Sequence, residues 1–158
     1  NAFGHQIIKT IFRVIGDFSR LSKQLQEEIE QTMKLTEENS RLQLVVFLSY
    51  SGKWDILQAA QRLMKDNAQR IASGENVEIT EDMFSKYLST SDIPDPDLLI
   101  RTSGEERISN YMLWQTAYTE YYFTDVLWPD FGPEELNAAI TDFYSRKRRF
   151  GGLDKKKS

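Results

Sequence analysis

An almost unbroken apolar run, Leu42–Tyr50, limits the architectures open to this chain. It is rich in β-branched and aromatic side chains, which favour strands. A strand with one wet face alternates apolar and polar residues, whereas a strand of a parallel sheet is covered on both faces and reads as a continuous apolar run. Helical spacing precedes it from Ser19 to about Glu38 and follows it from Trp54 to about Ala72. This pattern predicts a strand buried on both faces between two helices.

The remaining segments continue the alternation of strands and helices. Three further strands are predicted, at Ile11–Ile15, Leu98–Arg101 and Tyr121–Leu127. Helical patterns begin at Thr80, at Asn110 for a turn or two, and at Pro133, the last continuing to about Arg146. We therefore predict an α/β fold with a central, mostly parallel sheet flanked by helices. Residues 1–158 are predicted to form one domain, and the polar, basic tail 153–158 is expected to be disordered.

Composition excludes several classes of function. The net charge of −4 argues against a general nucleic-acid-binding protein. The chain has no cysteine, which excludes disulfides, thiolate metal sites and cysteine nucleophiles. No apolar run approaches the roughly 20 residues of a membrane span. A soluble, cytoplasmic protein is predicted.

The segment Pro96–Asn110 carries the clearest functional signal. Its short apolar strand ends on Arg101, and a Ser-Gly turn, Arg107 and Ser109 follow. Loops after strand ends are where open α/β sheets bind ligands. Two guanidiniums and a hydroxyl, set among turns and helix starts, suit a phosphate or diphosphate, because each fork binds oxygens in pairs. The sequence predicts an anion site here.

Three stretches, Asp97–Gln115, Tyr118–Phe131 and Arg146–Gly152, resemble the signature of the cis-prenyltransferases, most closely the bacterial undecaprenyl diphosphate synthases. The resemblance implies a magnesium-dependent transferase that condenses isopentenyl diphosphate repeatedly onto an allylic diphosphate such as farnesyl diphosphate. The product would be a cis-polyprenyl diphosphate, the precursor of a cell-wall lipid carrier. It also implies a homodimer, with peripheral membrane contact as a possible consequence of the lipid product.

The resemblance also implies roles for individual residues. Arg101, Arg107 and Ser109 would hold the diphosphate of isopentenyl diphosphate. Glu120 would help to bind Mg²⁺ at the neighbouring subunit's site. Without the resemblance, Glu120 could equally be a salt-bridge partner or a metal ligand, and Glu105 and Glu106 are interpreted as solvated loop charges rather than as a catalytic pair.

Three implied site residues lie near the chain ends. His5 is the only histidine, and alone it would be read as a surface or structural residue. Its Phe-Gly-His context resembles the family and implies catalytic diphosphate or proton handling. Arg149 and Gly151 resemble a terminal motif that reaches a diphosphate across the dimer. Arg146 is read as part of a solvated basic helix end, favourable against the helix dipole.

The chain departs from the family pattern in two respects. It lacks the Phe-Ser-Ser/Thr-Glu-Asn-Trp segment that follows the second strand in relatives. It contains no Asp-Gly-Asn, the segment whose aspartate would bind magnesium and act on the allylic diphosphate. We therefore expect that an N-terminal and an internal segment are missing and that these 158 residues alone are inactive. A non-catalytic, dimerising partner subunit is the alternative, although the intact arginines and Glu120 argue against it. An unrelated anion-binding α/β domain is a third hypothesis.

Overall fold

A computed structural model of the chain describes residues 10–146. These residues fall into two compact units, which divide between Ile93 and Pro94. The regular elements are β1 (Thr10–Ile15), α1 (Lys23–Thr36), β2 (Leu42–Phe47), α2 (Gly52–Asp66), α3 (Ala68–Ala72), α4 (Glu81–Ser85), β3 (Leu98–Arg101), β4 (Glu120–Phe123) and α5 (Pro133–Ser145), with short 3-10 helices at Phe18–Arg20 and Trp128–Asp130.

The first unit is built on the parallel pair β1 and β2, in which Thr10 lies opposite Leu42. Side chains after and within α1 satisfy the other edge of β1: Thr36 Oγ1 accepts from Phe12 N at 3.0 Å, and Asn39 Nδ2 donates to the Thr10 carbonyl at 2.9 Å. These bonds occupy backbone groups that an edge strand leaves open to pairing. The core of this unit contains Val14, Ile15, Ile29, Ala59, Leu63 and Leu88.

A buried carboxylate ties α2 to a later segment of the first unit. Asp55, in the first turn of α2, is 1% exposed. It accepts hydrogen bonds from the Tyr50 hydroxyl at 3.0 Å, from Gln58 Nε2 at 2.9 Å and from Ser89 N at 2.9 Å. Burying a charge is unfavourable unless it is hydrogen-bonded, so this network fixes the start of α2 against the chain at Ser89.

The second unit is built on β3 and β4, which are parallel and pair from Leu98 opposite Glu120 to Arg101 opposite Phe123. Helix α5 begins at Pro133, a residue suited to the first helical turn. Glu135 Oε2 accepts from Gly132 N at 2.8 Å and caps that turn. Met112 and Ala139 are buried in this unit.

The predicted α/β class is confirmed, because parallel strand pairs alternate with helices. The predicted burial of the Leu42–Tyr50 run on both faces is wrong in part: Leu42 and Leu44 are 62% and 50% exposed. The described strands form two separate pairs, so β2 has β1 as its one neighbour there. The single domain stays a prediction. Within residues 10–146, no helix is both long and apolar enough to cross a bilayer.

Two helical predictions differ from the structure. The helix predicted from Trp54 to Ala72 is divided at Asn67, whose side chain donates to the Leu63 carbonyl at 2.9 Å. A side chain that bonds to the preceding turn competes with continuation of the helix. The turns predicted as helical after Asn110 contain left-handed residues, as described below, and form no regular helix.

An exposed ion pair in the first unit predicts a dependence on pH. Arg13 donates to both Asp92 oxygens, at 2.7 and 3.1 Å, and these bonds hold the pKa of Asp92 below its ordinary value. The pair therefore contributes stability above the unfolded-state pKa, and this is lost as the pH falls through the folded-state pKa. Because the Asp92 side chain is 63% exposed, we expect less than about 1 kcal/mol.

Carboxyl NMR titration measures this pKa directly. The Arg13→Met variant should return the Asp92 pKa to its ordinary range. An unchanged Asp92 titration in that variant would contradict the assigned cause.

Candidate anion-binding site

Arg101 is the last residue of β3, and its guanidinium is partly buried. Its backbone carbonyl accepts from Thr124 N at 3.0 Å, which continues the parallel pairing one residue beyond the strand. Within the described chain, Nε of Arg101 is buried and has no hydrogen-bond partner. A buried donor without a partner is uncommon in folded proteins, so this nitrogen is a candidate donor to a ligand.

The loop after Arg101 first turns in the left-handed region. Ser103 has φ +70° and Gly104 has φ +67°. The N–H groups of Ser103 and Gly104 donate to Val126 O at 2.9 Å and Thr124 O at 3.0 Å. A Cβ at Gly104 would lie 3.1 Å from Asp125 Oδ1. The Ser-Gly pair therefore fixes how the loop leaves the sheet.

A second left-handed turn lies further along the loop. Ser109, Asn110 and Met112 have φ values of +49°, +61° and +46°. Such a conformation costs of order 1–3 kcal/mol for each non-glycine residue, and it tends to cluster at ligand-binding sites. Met112 is buried, and its carbonyl accepts from both the N–H and the hydroxyl of Thr116, at 3.0 and 2.9 Å. The turn is held from its buried side, while Ser109 remains exposed.

Arg107 lies between the two turns and forms an ion pair with Glu105. The side chains of Arg107 and Glu105 are 70% and 34% exposed. Glu105, predicted to be a solvated loop charge, is partly buried and is the carboxylate partner of Arg107. An anion that binds Arg107 meets a guanidinium that already has a carboxylate partner.

Glu120 is the first residue of β4 and lies opposite Leu98, at the other end of the strand pair from Arg101. The separation of three residues along a strand corresponds to about 10 Å. The Glu120 carboxylate accepts from Arg146 Nη1 at 2.9 Å. Arg146 also pairs with Asp142, one turn earlier on α5. Both carboxylates raise the pKa of Arg146, with the hydrogen bond to Glu120 as the larger cause.

Arg101 ends β3 and is followed by the loop that carries Arg107 and Ser109, whereas Glu120 lies at the other end of the strand pair. The reading of Arg146 as a solvated helix end is wrong, because two carboxylates bind it. The four-residue spacing of Asp142 and Arg146 is visible in the sequence and indicates their pair. The predicted site residues His5, Arg149 and Gly151 lie outside the described residues.

Glu120 is the side chain that the family resemblance implies as a metal ligand, and it would act as a single carboxylate. No group of three or more His, Cys, Asp or Glu side chains that could hold a metal ion occurs within residues 10–146. Glu120 Oε2 is engaged by Arg146, and no hydrogen bond to its Oε1 is found in the same range. Magnesium is commonly bound by one or two carboxylates together with phosphate oxygens and water. Glu120 therefore fits one ligand of such an ion.

Comparison with known proteins supports the motif assignment. Residues 4–151 match the family model described as putative undecaprenyl diphosphate synthase. A ditrans,polycis-undecaprenyl-diphosphate synthase of Vibrio vulnificus is 54% identical over 141 residues, which are 88% of this chain and 55% of that protein. An isoprenyl transferase of Bacillus cereus is 52% identical over 89% of this chain and 54% of its own length. The chain spans about half the length of these curated relatives.

Two solved structures share the fold. The lavandulyl diphosphate synthase of Lavandula x intermedia, solved with dimethylallyl diphosphate, has a TM-score of 0.82 and 37% identity, over 92% of this chain and 61% of that one. A probable undecaprenyl diphosphate synthase of Campylobacter jejuni has a TM-score of 0.80 and 29% identity, over 93% of this chain and 65% of that one. The family model and the identities agree with the motifs around Arg101 and Glu120: this chain belongs to the cis-prenyltransferase family, in the group of putative undecaprenyl diphosphate synthases.

Proposed function

We propose that the full-length protein condenses isopentenyl diphosphate repeatedly onto farnesyl diphosphate to give a cis-polyprenyl diphosphate of undecaprenyl type. The Vibrio vulnificus relative is described as specific for (2E,6E)-farnesyl diphosphate, which supports this choice of primer. The observation that carries the proposal is the buried, unpartnered Nε of Arg101, found at the end of β3 in the described chain. A diphosphate oxygen would satisfy that donor.

In this proposal, the loop from Arg101 to Ser109 holds the diphosphate of isopentenyl diphosphate. That diphosphate is not the leaving group, so its role is to position the homoallylic double bond. The C–O bond of the allylic diphosphate breaks, the double bond supplies the electron pair of the new C–C bond, and a proton leaves the adjacent carbon. Fixing one reactant against the other lowers the entropic part of the barrier. Arg101 and Arg107 would bind oxygens through their forks, and the Ser109 hydroxyl would donate to a third oxygen.

Magnesium is the proposed cofactor, and Glu120 is its proposed ligand in this chain. When bound, the ion would stabilise negative charge on a diphosphate. Glu120 supplies a carboxylate whose Oε2 is held by Arg146. Its place at the opposite strand end from Arg101 favours two different sites over one.

A homodimer would account for the separation of Glu120 from Arg101, because each Glu120 would then bind the ion at the neighbouring subunit's site. Large apolar side chains are exposed in the second unit, among them Trp128 at 73%, Tyr144 at 79% and Leu136 at 43%. Exposed apolar patches mark interaction surfaces. His5, Arg149 and Gly151 keep the diphosphate-handling roles that the family motif implies, and a cytoplasmic enzyme with peripheral membrane contact remains part of the proposal.

Incorporation of radiolabelled isopentenyl diphosphate tests this function. The full-length protein, with farnesyl diphosphate and Mg²⁺, should form labelled products extractable into an organic solvent, each longer by whole five-carbon units. Binding of isopentenyl diphosphate without incorporation would favour a non-catalytic partner subunit. Failure to bind either diphosphate would overturn the assignment of the loop.

Ser109→Ala should weaken binding of isopentenyl diphosphate while leaving the fold intact. The exposed hydroxyl is expected to contribute one hydrogen bond to a charged group, which corresponds to about 1.5–3 kcal/mol and to roughly 10- to 150-fold in the dissociation constant. Calorimetric titration measures the dissociation constant of isopentenyl diphosphate. Ser145→Ala is the matched control, because Ser145 is exposed at the end of α5 and donates only to the Asp142 carbonyl. Equal affinities of wild type and Ser109→Ala would remove Ser109 from the site.

A further inference from the structure

Arg146 joins two carboxylates, that of Glu120 at the start of β4 and that of Asp142 on α5. Its Nη1 donates to Glu120 Oε2 at 2.9 Å, and its Nη2 is bound by Asp142. The guanidinium therefore bridges the first residue of a strand and the last turn of α5. Each nitrogen serves a different carboxylate, so the orientation of the fork is fixed from both sides.

The backbone of Glu120 is already fixed by other bonds. Its N–H donates to the Asp97 carbonyl at 3.0 Å, and the hydroxyl of the preceding Thr119 donates to the Pro96 carbonyl at 2.7 Å. The remaining freedom of Glu120 is in its side-chain rotors. A glutamate side chain loses considerable entropy when it is ordered, and the bond from Arg146 supplies that ordering before any cation arrives.

The same bond leaves a second oxygen for a ligand. Arg146 engages Oε2, whereas Oε1 has no hydrogen bond within residues 10–146. One guanidinium faces two carboxylates, so the cluster keeps a net negative charge. We propose that Arg146 is a positioning residue that orients Glu120 for a divalent cation. This inference rests on the proposed function, in which Glu120 is a magnesium ligand.

Arg146→Lys separates orientation from charge. Lysine keeps the positive charge but replaces the planar fork by a single ammonium, which cannot hold both carboxylates in the same geometry. The matched control is Arg62→Lys, the same change at an exposed position of α2.

The readout is the dissociation constant of Mg²⁺, measured by calorimetry on the full-length protein with isopentenyl diphosphate present. Without an allylic substrate there is no turnover. In Arg146→Lys the constant should rise by about threefold to tenfold, the range expected from freeing one or two side-chain rotors. Arg62→Lys should leave it unchanged. In a Glu120→Gln background, Arg146→Lys should have no further effect, because Arg146 acts through Glu120.

The outcomes distinguish a positioning role of Arg146 from a purely structural role, and both from an incorrect assignment of Glu120 as a ligand. An unchanged Mg²⁺ constant in Arg146→Lys, or the same rise in the Glu120→Gln background, overturns the positioning role. A lower unfolding midpoint with unchanged Mg²⁺ affinity makes Arg146 a purely structural residue, which also overturns it. If Glu120→Gln itself leaves Mg²⁺ affinity unchanged, the ligand assignment fails and the positioning role with it. The dissociation constant of isopentenyl diphosphate then shows whether the anion site survives.

Discussion

Arg101→Ala is expected to weaken the binding of isopentenyl diphosphate by about 100- to 10,000-fold. In the proposed site, the variant would remove two charge-assisted hydrogen bonds from the guanidinium to the diphosphate, and such bonds contribute about 1.5–3 kcal/mol each. The effect is large because the end of β3 and the bond from Thr124 N to the Arg101 carbonyl fix the residue at its backbone. The buried Nε of Arg101 is also shielded from water, which strengthens an interaction with an anion. Calorimetric titration of the full-length protein with isopentenyl diphosphate measures the loss.

Arg101→Lys divides this effect between charge and geometry. A lysine restores the charge but not the paired donors, so its affinity should lie between those of Arg101→Ala and the wild type. Arg62→Ala, at an exposed position of α2, controls for the loss of one positive charge. Wild-type affinity in Arg101→Ala would exclude Arg101 from the site, and an equal loss in Arg62→Ala would show a nonspecific charge effect.

The position of Arg101 could be predicted from the sequence because local patterns determine it. A short apolar run indicates a strand, and the predicted range Leu98–Arg101 is the range that the structure has. The predicted bounds of the final helix, from Pro133 to about Arg146, are also close to the observed Pro133–Ser145. In both cases a proline or a change in polarity fixes the boundary locally.

Charged partners that are far apart in the sequence could not be predicted in the same way. Glu120 and Arg146 are 26 residues apart, and their pair depends on where α5 returns to β4. The left-handed conformations of Ser109, Asn110 and Met112 are also not favoured by their residue types alone, although asparagine tolerates them. Tertiary bonds, such as those from Thr116 to the Met112 carbonyl, hold that turn. A local sequence pattern does not show which residues such tertiary contacts bring together.

The exposure of Leu42 and Leu44 has a related cause. The apolar run correctly predicted a strand in a parallel pair, but composition cannot say how many neighbours a strand has. Leu42 and Leu44 share one face of β2, because side chains two residues apart point to the same side of a strand, and their exposure shows that this face is left open at the start of β2. The apolar run therefore indicates that β2 is suited to burial, but it does not show which of its side chains are buried.

Gly16→Ala is expected to destabilise the first unit by about 3 to 5 kcal/mol. This combines the cost of an extra methyl group in a packed region with the cost of a positive φ. Gly16 has φ +150° and follows β1 directly. A Cβ at this position would lie 1.7 Å from the Leu48 carbonyl oxygen. That oxygen belongs to backbone and cannot move alone, because Leu48 N donates to the Ile15 carbonyl at 3.0 Å.

Gly74→Ala is the control that separates the two causes. Gly74 has φ +81°, yet a Cβ there meets no described atom within 4 Å. It should therefore show the conformational cost alone, about 1 to 2 kcal/mol. Urea unfolding of both variants measures the difference, which is the cost of the collision with Leu48. Equal losses in the two variants would mean that the ends of β1 and β2 can separate to admit a methyl group, and that the turn at Gly16 does not hold them together.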